Sequence, residues 1–323
     1  MSKVILNIEG VSHNFGANRV LHDVNLKIVQ GQFVALVGGS GCGKSTLLRM
    51  ILGTDSPATG LVAIDGIPVD GPNRDVGIVY QKYGLYRFLT VQENVAFGLK
   101  LDQTNILERS LIPWYWLPLR RRHQEEARAM LEKFGLKDAW DKYPSELSGG
   151  MQQRVALAQA LIMKPKILLL DEPFGALDEG TREKLQLMLL RLYQENLAAI
   201  KIGAPPPWTV IIVTHELNEA FYVSDRVIGL SKNWKEQGAP PNSGYQYGEM
   251  MGATKIWDKA APTFHPDGPI DFSRFAAMRD ELKNIVLGDA GYRVERDAHV
   301  SFWDDLANGI GTGVAFAKGP NDE

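Results

Sequence analysis

The sequence predicts an α/β fold whose functional residues lie where strands end and helices begin. Three segments predict it: a glycine-rich loop between an apolar run and a helical pattern, a glycine-containing helix start, and an apolar run ending in two carboxylates. The 323 residues suffice for one large domain or two, and 45% of them are hydrophobic, which supplies a sizeable core.

Alternating short strands and helical patterns support this fold class. Apolar runs predict strands at 4–9, 24–28, 33–37, 61–64, 167–170, 209–213 and 226–230. Helical patterns cover 44–52 and 181–199, and they dominate 91–162. The order indicates an α/β core with a helical insertion.

The glycine-rich loop is the most informative segment. Gly38–Thr46 reads GGSGCGKST, follows the apolar run 33–37 and opens into a helical pattern. Glycines let backbone N–H groups close around phosphate oxygens, and the helix start adds further N–H donors. Lys44 brings a charge to the phosphates, and the Ser45 hydroxyl can ligate Mg²⁺. Strand, loop and helix in this order predict a nucleotide site rather than an ordinary turn.

A second helix start follows in LSGGMQQR. Ser148 occupies the N-cap position and is followed by Gly149 and Gly150. An ordinary capped helix explains this segment taken alone. Because the chain has one Lys-bearing phosphate loop, a spare anion-binding helix start indicates a composite site shared between two copies.

The third segment, ILLLDEP, ends an apolar strand with Asp171 and Glu172. Ligands of open α/β sheets bind at the carboxyl ends of strands. Asp171 is therefore expected in the Mg²⁺ shell, and Glu172 is placed to accept a proton from the attacking water. A solvated turn is disfavoured by the buried strand before it.

These three motifs resemble those of the ATP-binding subunits of ABC transporters, and the resemblance covers about residues 3 to 231. It implies ATP hydrolysis with Mg²⁺, on a RecA-like P-loop core with an antiparallel β portion and a helical subdomain at about 91–162. Residues 232–323 are then a C-terminal extension of unknown role.

The resemblance also assigns residue roles. Gln81 after the strand VGIVY is similar to the glutamine of the family's Q-loop, and Asp178 in GALD to the aspartate of its D-loop. His215 resembles the switch histidine that contacts the γ-phosphate, although a lone histidine after a strand is often structural. Phe15 matches the aromatic that stacks on adenine, where Tyr is commoner; the alternative is a buried strand residue.

The resulting site assignment has three parts. The catalytic residues are Glu172, His215 and Gln81, and the Mg²⁺ ligands are Ser45, Gln81 and Asp171. The residues assigned to nucleotide binding are Phe15, Gly38, Gly39, Ser40, Gly41, Cys42, Gly43, Lys44, Ser45, Thr46, Ser148, Gly149, Gly150, Gln152 and Asp178.

Composition excludes several classes of protein. The net charge of −3 argues against a dedicated nucleic-acid binder. The single cysteine, Cys42, allows neither an intrachain disulfide nor a zinc cluster, and its alkylation is expected to block nucleotide binding. No apolar run reaches the length of a membrane span and no signal peptide is expected, so a transporter role requires separate membrane subunits.

The wording of PFGALD and of the helix after His215 is similar to that of ABC importers, most of all those for nitrate, sulfonate or taurine. That group implies permease subunits, a second ATPase subunit as a homodimer and an extracytoplasmic solute-binding protein, with no nucleic acid. The chain would lie peripherally at the cytoplasmic face of the inner membrane. The alternatives are an exporter ATPase, a non-transport ABC system and a regulatory ATPase.

Three segments depart from the group: a proline-containing spacer at 200–208 and two longer segments. Asn105–Arg122 is longer than expected and combines Trp114–Trp116 with Arg120–Arg122. Aromatic rings beside arginines suit a membrane interface or the permease face, but the sequence favours a locally packed loop with a solvated basic end. Residues 232–268 are rich in Gly, Pro and aromatics, so we expect them to pack on the core, a second subunit or a regulator.

Overall fold

The computed structural model describes residues 3–104, 113–175, 177–236, 251–262, 264, 272–288 and 293–307. Its strands are β1 (Val4–Phe15), β2 (Asn18–Val29), β3 (Phe33–Gly38), β4 (Thr59–Ile64), β5 (Ile67–Pro68), β6 (Val76–Val79), β7 (Ile167–Asp171), β8 (Val210–Val213), β9 (Arg226–Ser231), β10 (Trp234–Lys235), β11 (Thr254–Ala260) and β12 (Val294–Glu295). Its α-helices are α1 (Lys44–Leu52), α2 (Val91–Gln103), α3 (Pro113–Lys133), α4 (Gly149–Leu161), α5 (Glu179–Lys201), α6 (Leu217–Val223), α7 (Ala276–Leu282) and α8 (Phe302–Ala307).

A six-stranded sheet in the order β11-β9-β3-β8-β7-β6 forms the centre of the molecule. All of its pairs are parallel except β11 with β9. A second, antiparallel sheet has the order β2-β1-β4-β5. The helices α2 to α4 lie between β6 and β7 in the chain. The predicted α/β fold with an antiparallel β portion and a helical subdomain is therefore confirmed.

Strand β3 explains the placement of the two cores. All six of its residues are buried, because side chains alternate between the two faces of a sheet and both faces are covered. Phe33, Ala35 and Val37 join the core that contains the helical subdomain. Val34 and Leu36 join the core formed with α1 and the antiparallel sheet. The unbroken apolar run in the sequence reflects this burial on both sides.

The helical subdomain begins at a capping box. Thr90 accepts a hydrogen bond from the backbone N–H of Glu93, whose carboxylate accepts one from the N–H of Thr90. This arrangement satisfies two donors that the helix start leaves free. Within the described residues, no helix is long and apolar enough to cross a membrane.

The large sheet continues past residue 231, where the sequence analysis ends the ATP-binding region. Strand β11 lies within the predicted extension and pairs along β9 from Thr254 to Ala260. Trp257 and Phe264 are 0% and 3% exposed and belong to the main core. The expected packing partners of this segment were the core, a second subunit or a regulator. Trp257 and Phe264 pack on the chain's own core. The tyrosines at 245 and 247 and the tail from 308 onward lie outside the described residues.

A buried ion pair attaches the extension to the core. Arg226 on β9 donates Nε and Nη2 to the two carboxylate oxygens of Asp258 on β11, at 2.7 and 2.8 Å, and both residues are 0% exposed. Lys255 also donates to Asp258 at 2.8 Å. The guanidinium of Arg226 lies 3.9 Å from the ring centroid of Phe302 on α8. Burial acts to raise the pKa of Asp258, but the two cations outweigh it and hold that pKa below its usual value.

We predict that Asp258→Asn destabilises the chain by about 3–5 kcal/mol, because it leaves the guanidinium buried without its counter-charge. Urea unfolding followed by tryptophan fluorescence would measure the change. A double variant, Arg226→Met with Asp258→Leu, removes both charges and is expected to lose much less. Equal losses in the single and double variants would contradict this account of the pair.

Candidate nucleotide-binding and catalytic site

The phosphate loop joins the end of β3 to α1. A Cβ at Gly38 would lie 2.4 Å from the carbonyl oxygen of Leu230 on β9, and one at Gly43 would lie 2.6 Å from Leu21. Gly43 also has φ 91°, in the left-handed region that favours glycine. A Cβ at Gly39 or Gly41 would meet nothing within 4 Å. The loop is therefore packed against protein at its two ends and open along its middle.

Lys44 lies over this loop and is 9% exposed. Its Nζ donates to the carbonyl oxygens of Gly38 at 2.8 Å and Gly39 at 3.0 Å. The helix that Lys44 begins has glycine as its N-cap and no side-chain cap. The first N–H groups of α1 therefore lack side-chain acceptors, which suits an anion such as a phosphate. Ser40 and Ser45 are exposed at the loop, and Thr46 is buried.

Cys42 is 5% exposed, and burial raises the pKa of its thiol. Because alkylation requires the thiolate, a buried thiol with a raised pKa is a poor target. The structure therefore argues against the expected alkylation at this position.

Three residues predicted to be catalytic meet at one point. Gln81 donates its amide N–H to Glu172 Oε2 at 3.1 Å, and His215 Nδ1 lies 3.4 Å from Glu172 Oε1. They come from the ends of β6, β7 and β8, which are neighbours in the sheet. The backbone N–H of Glu172 donates to the carbonyl of Val213 at 2.9 Å. Glu172 has φ 48°, a conformation that costs a non-glycine residue free energy and that often marks functional sites.

Asp171 connects this acidic end to the phosphate loop. Burial raises the pKa of its carboxyl, the negative charge of Glu172 raises it further, and Lys44 opposes both effects. The loop lysine and the two carboxylates therefore share one site at the carboxyl ends of β3 and β7.

The donor set fits Mg²⁺ delivered with a nucleotide. The Ser45 hydroxyl, the Asp171 carboxylate and the Gln81 amide supply oxygen atoms, which Mg²⁺ prefers. In the described part of the chain, no group of three or more His, Cys, Asp or Glu residues is arranged to hold a metal. A site with few protein ligands suits Mg²⁺, because this ion keeps several waters and binds substrate phosphates.

Ser148 caps α4 as predicted, with Oγ accepting from the N–H of Met151 at 3.3 Å. Gln152 donates its amide N–H to the carbonyls of Pro144 at 2.9 Å and Leu147 at 3.3 Å. Its side chain therefore stabilises the segment that directly precedes α4. Within the described residues, no hydrogen bond or ion pair joins 148–152 to the phosphate loop of the same chain.

Phe15 and Asp178 lie at the edges of the site. Phe15 is 49% exposed, so the structure does not support the alternative of a buried strand residue. Its ring stands edge-on to His13, with Arg49 5.8 Å from its centroid. Asp178 caps α5 by accepting from the N–H of Thr181 at 3.0 Å, and this hydrogen bonding lowers the pKa of its carboxyl.

Sequence reasoning missed three polar residues that connect α5 and α6 to the loop carrying His215. The sequence assigned no role to Glu219 on α6 or Arg182 on α5, whereas the structure buries Glu219 to 7% exposure and places it 3.3 Å from Arg182. Thr214 Oγ1 donates to Glu219 Oε2 at 3.1 Å. Their spacing from assigned residues could have revealed them, because Glu219 follows His215 by four residues and Arg182 follows Asp178 by four.

The fold and the site together define a P-loop nucleotide-hydrolysing domain, and comparison with known proteins assigns its family. The ABC transporter family profile matches residues 21–175. The chain is 41% identical over 245 residues to the sulfate/thiosulfate import ATP-binding protein CysA of Pseudomonas syringae, covering 75% of this chain and 69% of the relative. It is 42% identical over 233 residues to an uncharacterized ABC transporter ATP-binding protein of Methanocaldococcus jannaschii, covering 71% and 78%.

Solved structures of ABC transporter ATP-binding cassettes are also similar to this chain. A dimeric ATP-binding cassette in a post-hydrolysis state with ADP and phosphate matches with TM-score 0.56 and 32% identity, over 69% of this chain and 93% of that one. CbiO1 of Clostridium perfringens, part of an ABC transporter complex, matches with TM-score 0.58 and 27% identity, over 70% and 84%. The chain belongs to the ATP-binding subunits of the ABC transporter family, and it is an ATPase.

Proposed function

We propose that the chain powers an importer for a small oxyanion. The meeting of Gln81, Glu172 and His215 beside the phosphate loop supports hydrolysis. The relatives named for sulfate/thiosulfate import support the direction of transport and the substrate class. The sequence favours nitrate, sulfonate or taurine, whereas these relatives favour sulfate or thiosulfate. Because all of these substrates carry an oxyanion group, we propose small oxyanions as the substrate class.

In this proposal Glu172 is the general base. It accepts the proton of the attacking water, and Gln81 and His215 hold its two carboxylate oxygens in place. Lys44 and the N–H groups at the start of α1 stabilise charge on the transferring phosphoryl group. Mg²⁺ held by Ser45 and Asp171 would neutralise phosphate charge.

The signature segment 148–152 completes the site from a second copy of the chain. Its helix start carries a serine cap and two glycines, and it lacks the Lys-bearing loop that would make it a complete site. The match to dimeric ATP-binding cassettes supports this arrangement. Binding of ATP would close two copies together, and hydrolysis would release them.

Replacing Glu172 by Gln is expected to lower ATP turnover by about 10²–10⁴-fold while ATP binding persists, because the amide cannot take the proton. Phosphate release measures turnover, and light scattering with ATP should show an accumulated dimer. Glu132→Gln, at an exposed carboxylate on α3, is the matched control and should behave as wild type. Normal turnover in Glu172→Gln would rule out Glu172 as the base.

The permease is proposed to dock beside the segment that follows Gln81. Phe88 is 74% exposed and Tyr86 is 39% exposed. They lie next to a cleft of about 280 Å³ between α2 and α3, lined among others by Leu89, Phe97 and Arg120. An exposed aromatic beside an open cleft suits a helix from a membrane subunit.

Tagged wild-type chain is expected to recover a multi-span membrane protein from detergent-solubilised membranes of its host. Phe88→Asp should lose that partner, because a charge replaces an exposed apolar anchor, while its own ATPase activity remains. Ile202→Asp, at a residue 81% exposed elsewhere on the surface, is the control and should retain the partner. Equal recovery by both variants would place the permease elsewhere, and recovery of cytosolic partners alone would contradict transport.

The start of α3 carries the expected aromatic and basic side chains, and we retain the proposal that it contacts the membrane. Trp114 is 77% exposed and Leu117 is 52% exposed, which does not fit a locally packed loop for these two residues. Arg120, Arg121 and Arg122 follow, and all three are exposed. The side chains at 115 and 116, and residues 105–112, lie outside the described residues.

Alanine at Arg120, Arg121 and Arg122 should weaken binding to anionic vesicles by about 10²-fold, since each cation near such a surface contributes about 1 kcal/mol. Flotation on phosphatidylglycerol-containing liposomes measures it, with purely zwitterionic liposomes as a reference. A second triple variant, with alanine at Lys137, Lys142 and Lys201, removes the same charge elsewhere and should bind normally. Equal binding by both triple variants would contradict this membrane contact.

A further inference from the structure

Glu219 fixes the loop that carries His215. Its Oε2 accepts a hydrogen bond from Thr214 Oγ1 at 3.1 Å, and Thr214 Oγ1 accepts one from the N–H of Glu216 at 3.0 Å. The residues before and after His215 are therefore tied to a buried carboxylate on α6. The side chain of His215 is 55% exposed, and its ring nitrogens lie near the carboxylates of Glu172 and Glu216.

Arg182 connects the same carboxylate to the segment around Asp178. Its Nε lies 3.3 Å from Glu219 Oε1, as an ion pair without an aligned hydrogen bond. Its Nη2 donates to the carbonyl of Leu177 at 3.4 Å, and its Nη1 donates to Glu179 at 3.0 Å. One guanidinium thus contacts both the start of α5 and Glu219 on α6, the residue that accepts the hydrogen bond from Thr214.

The start of α5 also touches the signature segment. A Cβ on Gly150 would lie 1.9 Å from Thr181 Cγ2, so these two residues are in close contact. Thr181 directly precedes Arg182 in the helix. Contacts therefore run from the signature segment through α5 to Glu219 and then to His215.

We propose that Arg182 and Glu219 form a bridge that positions His215 according to the state of the signature and Asp178 segments. They are positioning residues, since neither reaches the Glu172 cluster by a direct contact among the described residues. The inference rests on the proposed function, because it assumes that His215 acts in hydrolysis. Movement of α5 when two copies close would be transmitted to the histidine.

The pKa of Glu219 shows that the ionisation of this carboxyl depends on its surroundings, including Arg182. Burial raises the pKa of Glu219 to about 7, against the hydrogen bond from Thr214 and the charge of Arg182. Glu216 raises it and His215 lowers it from the adjoining loop. Burial opposes ionisation of this carboxylate, and the guanidinium of Arg182, whose Nε lies 3.3 Å away, favours it.

The test measures the effect of Glu219→Gln on ATP turnover in two backgrounds, wild type and His215→Ala. In wild type we expect kcat to fall about tenfold with the KM for ATP within about twofold, because orientation rather than binding is lost. In the His215→Ala background, Glu219→Gln should have no further effect. Arg182→Met should reproduce the loss and Arg182→Lys should restore part of it. Arg191→Met, an exposed arginine on the same helix, should behave as wild type.

The outcomes separate the two proposals. An equal loss from Glu219→Gln in both backgrounds would overturn the bridge, since it would show an effect that does not pass through His215. Normal ATP turnover in Glu219→Gln, together with reduced turnover in His215→Ala, would also overturn the bridge but leave the proposed function intact. Normal turnover in His215→Ala would overturn both the bridge and the role of His215 in the proposed function. Thermal unfolding of every variant, with Arg182→Lys as the mildest, separates misfolding from lost positioning.

Discussion

The pairing of β3 between β8 and β9 is the constraint on which the rest of the site depends. It brings Gly38 so close to the Leu230 carbonyl that no side chain fits there, and this fixes where the phosphate loop leaves the sheet. Because β7 lies on the other side of β8 and runs parallel to it, the residues that follow these strands emerge at the same edge. His215 therefore lies beside Glu172, although the two residues are 43 positions apart in the chain.

The strained conformation of Glu172 shows how the sheet is used for chemistry. A left-handed backbone at a non-glycine residue costs about 1–3 kcal/mol and persists only where its surroundings determine it. Here the surroundings are the carbonyl of Val213, the amide of Gln81 and the ring of His215. Each comes from the end of a neighbouring strand, so the stability of the sheet is what holds the carboxylate in this position.

Segments with local signals were predictable from the sequence, and those that depend on distant partners were not. The glycine loop, the acidic strand and the capped helix starts carry their information within ten residues. Strand β11 was assigned to the extension because the family resemblance covers about residues 3 to 231, and the charge of Asp258 finds its partner, Arg226 on β9, only in the folded sheet. Glu219 was missed for the same reason, since its burial follows from helix packing that no local pattern encodes.

Among the described residues, the extension comes near the phosphate loop at Val20 and Leu21 of β2. Leu21 packs directly under Gly43 of the phosphate loop. The backbone around Leu21 is bonded to Ala253, which donates to the carbonyl of Val20 at 2.9 Å and accepts from the N–H of His22 at 2.8 Å. Ala253 directly precedes β11, which the buried pair of Arg226 and Asp258 fixes to the core. The extension and the phosphate loop therefore contact the same two residues of β2, Val20 and Leu21.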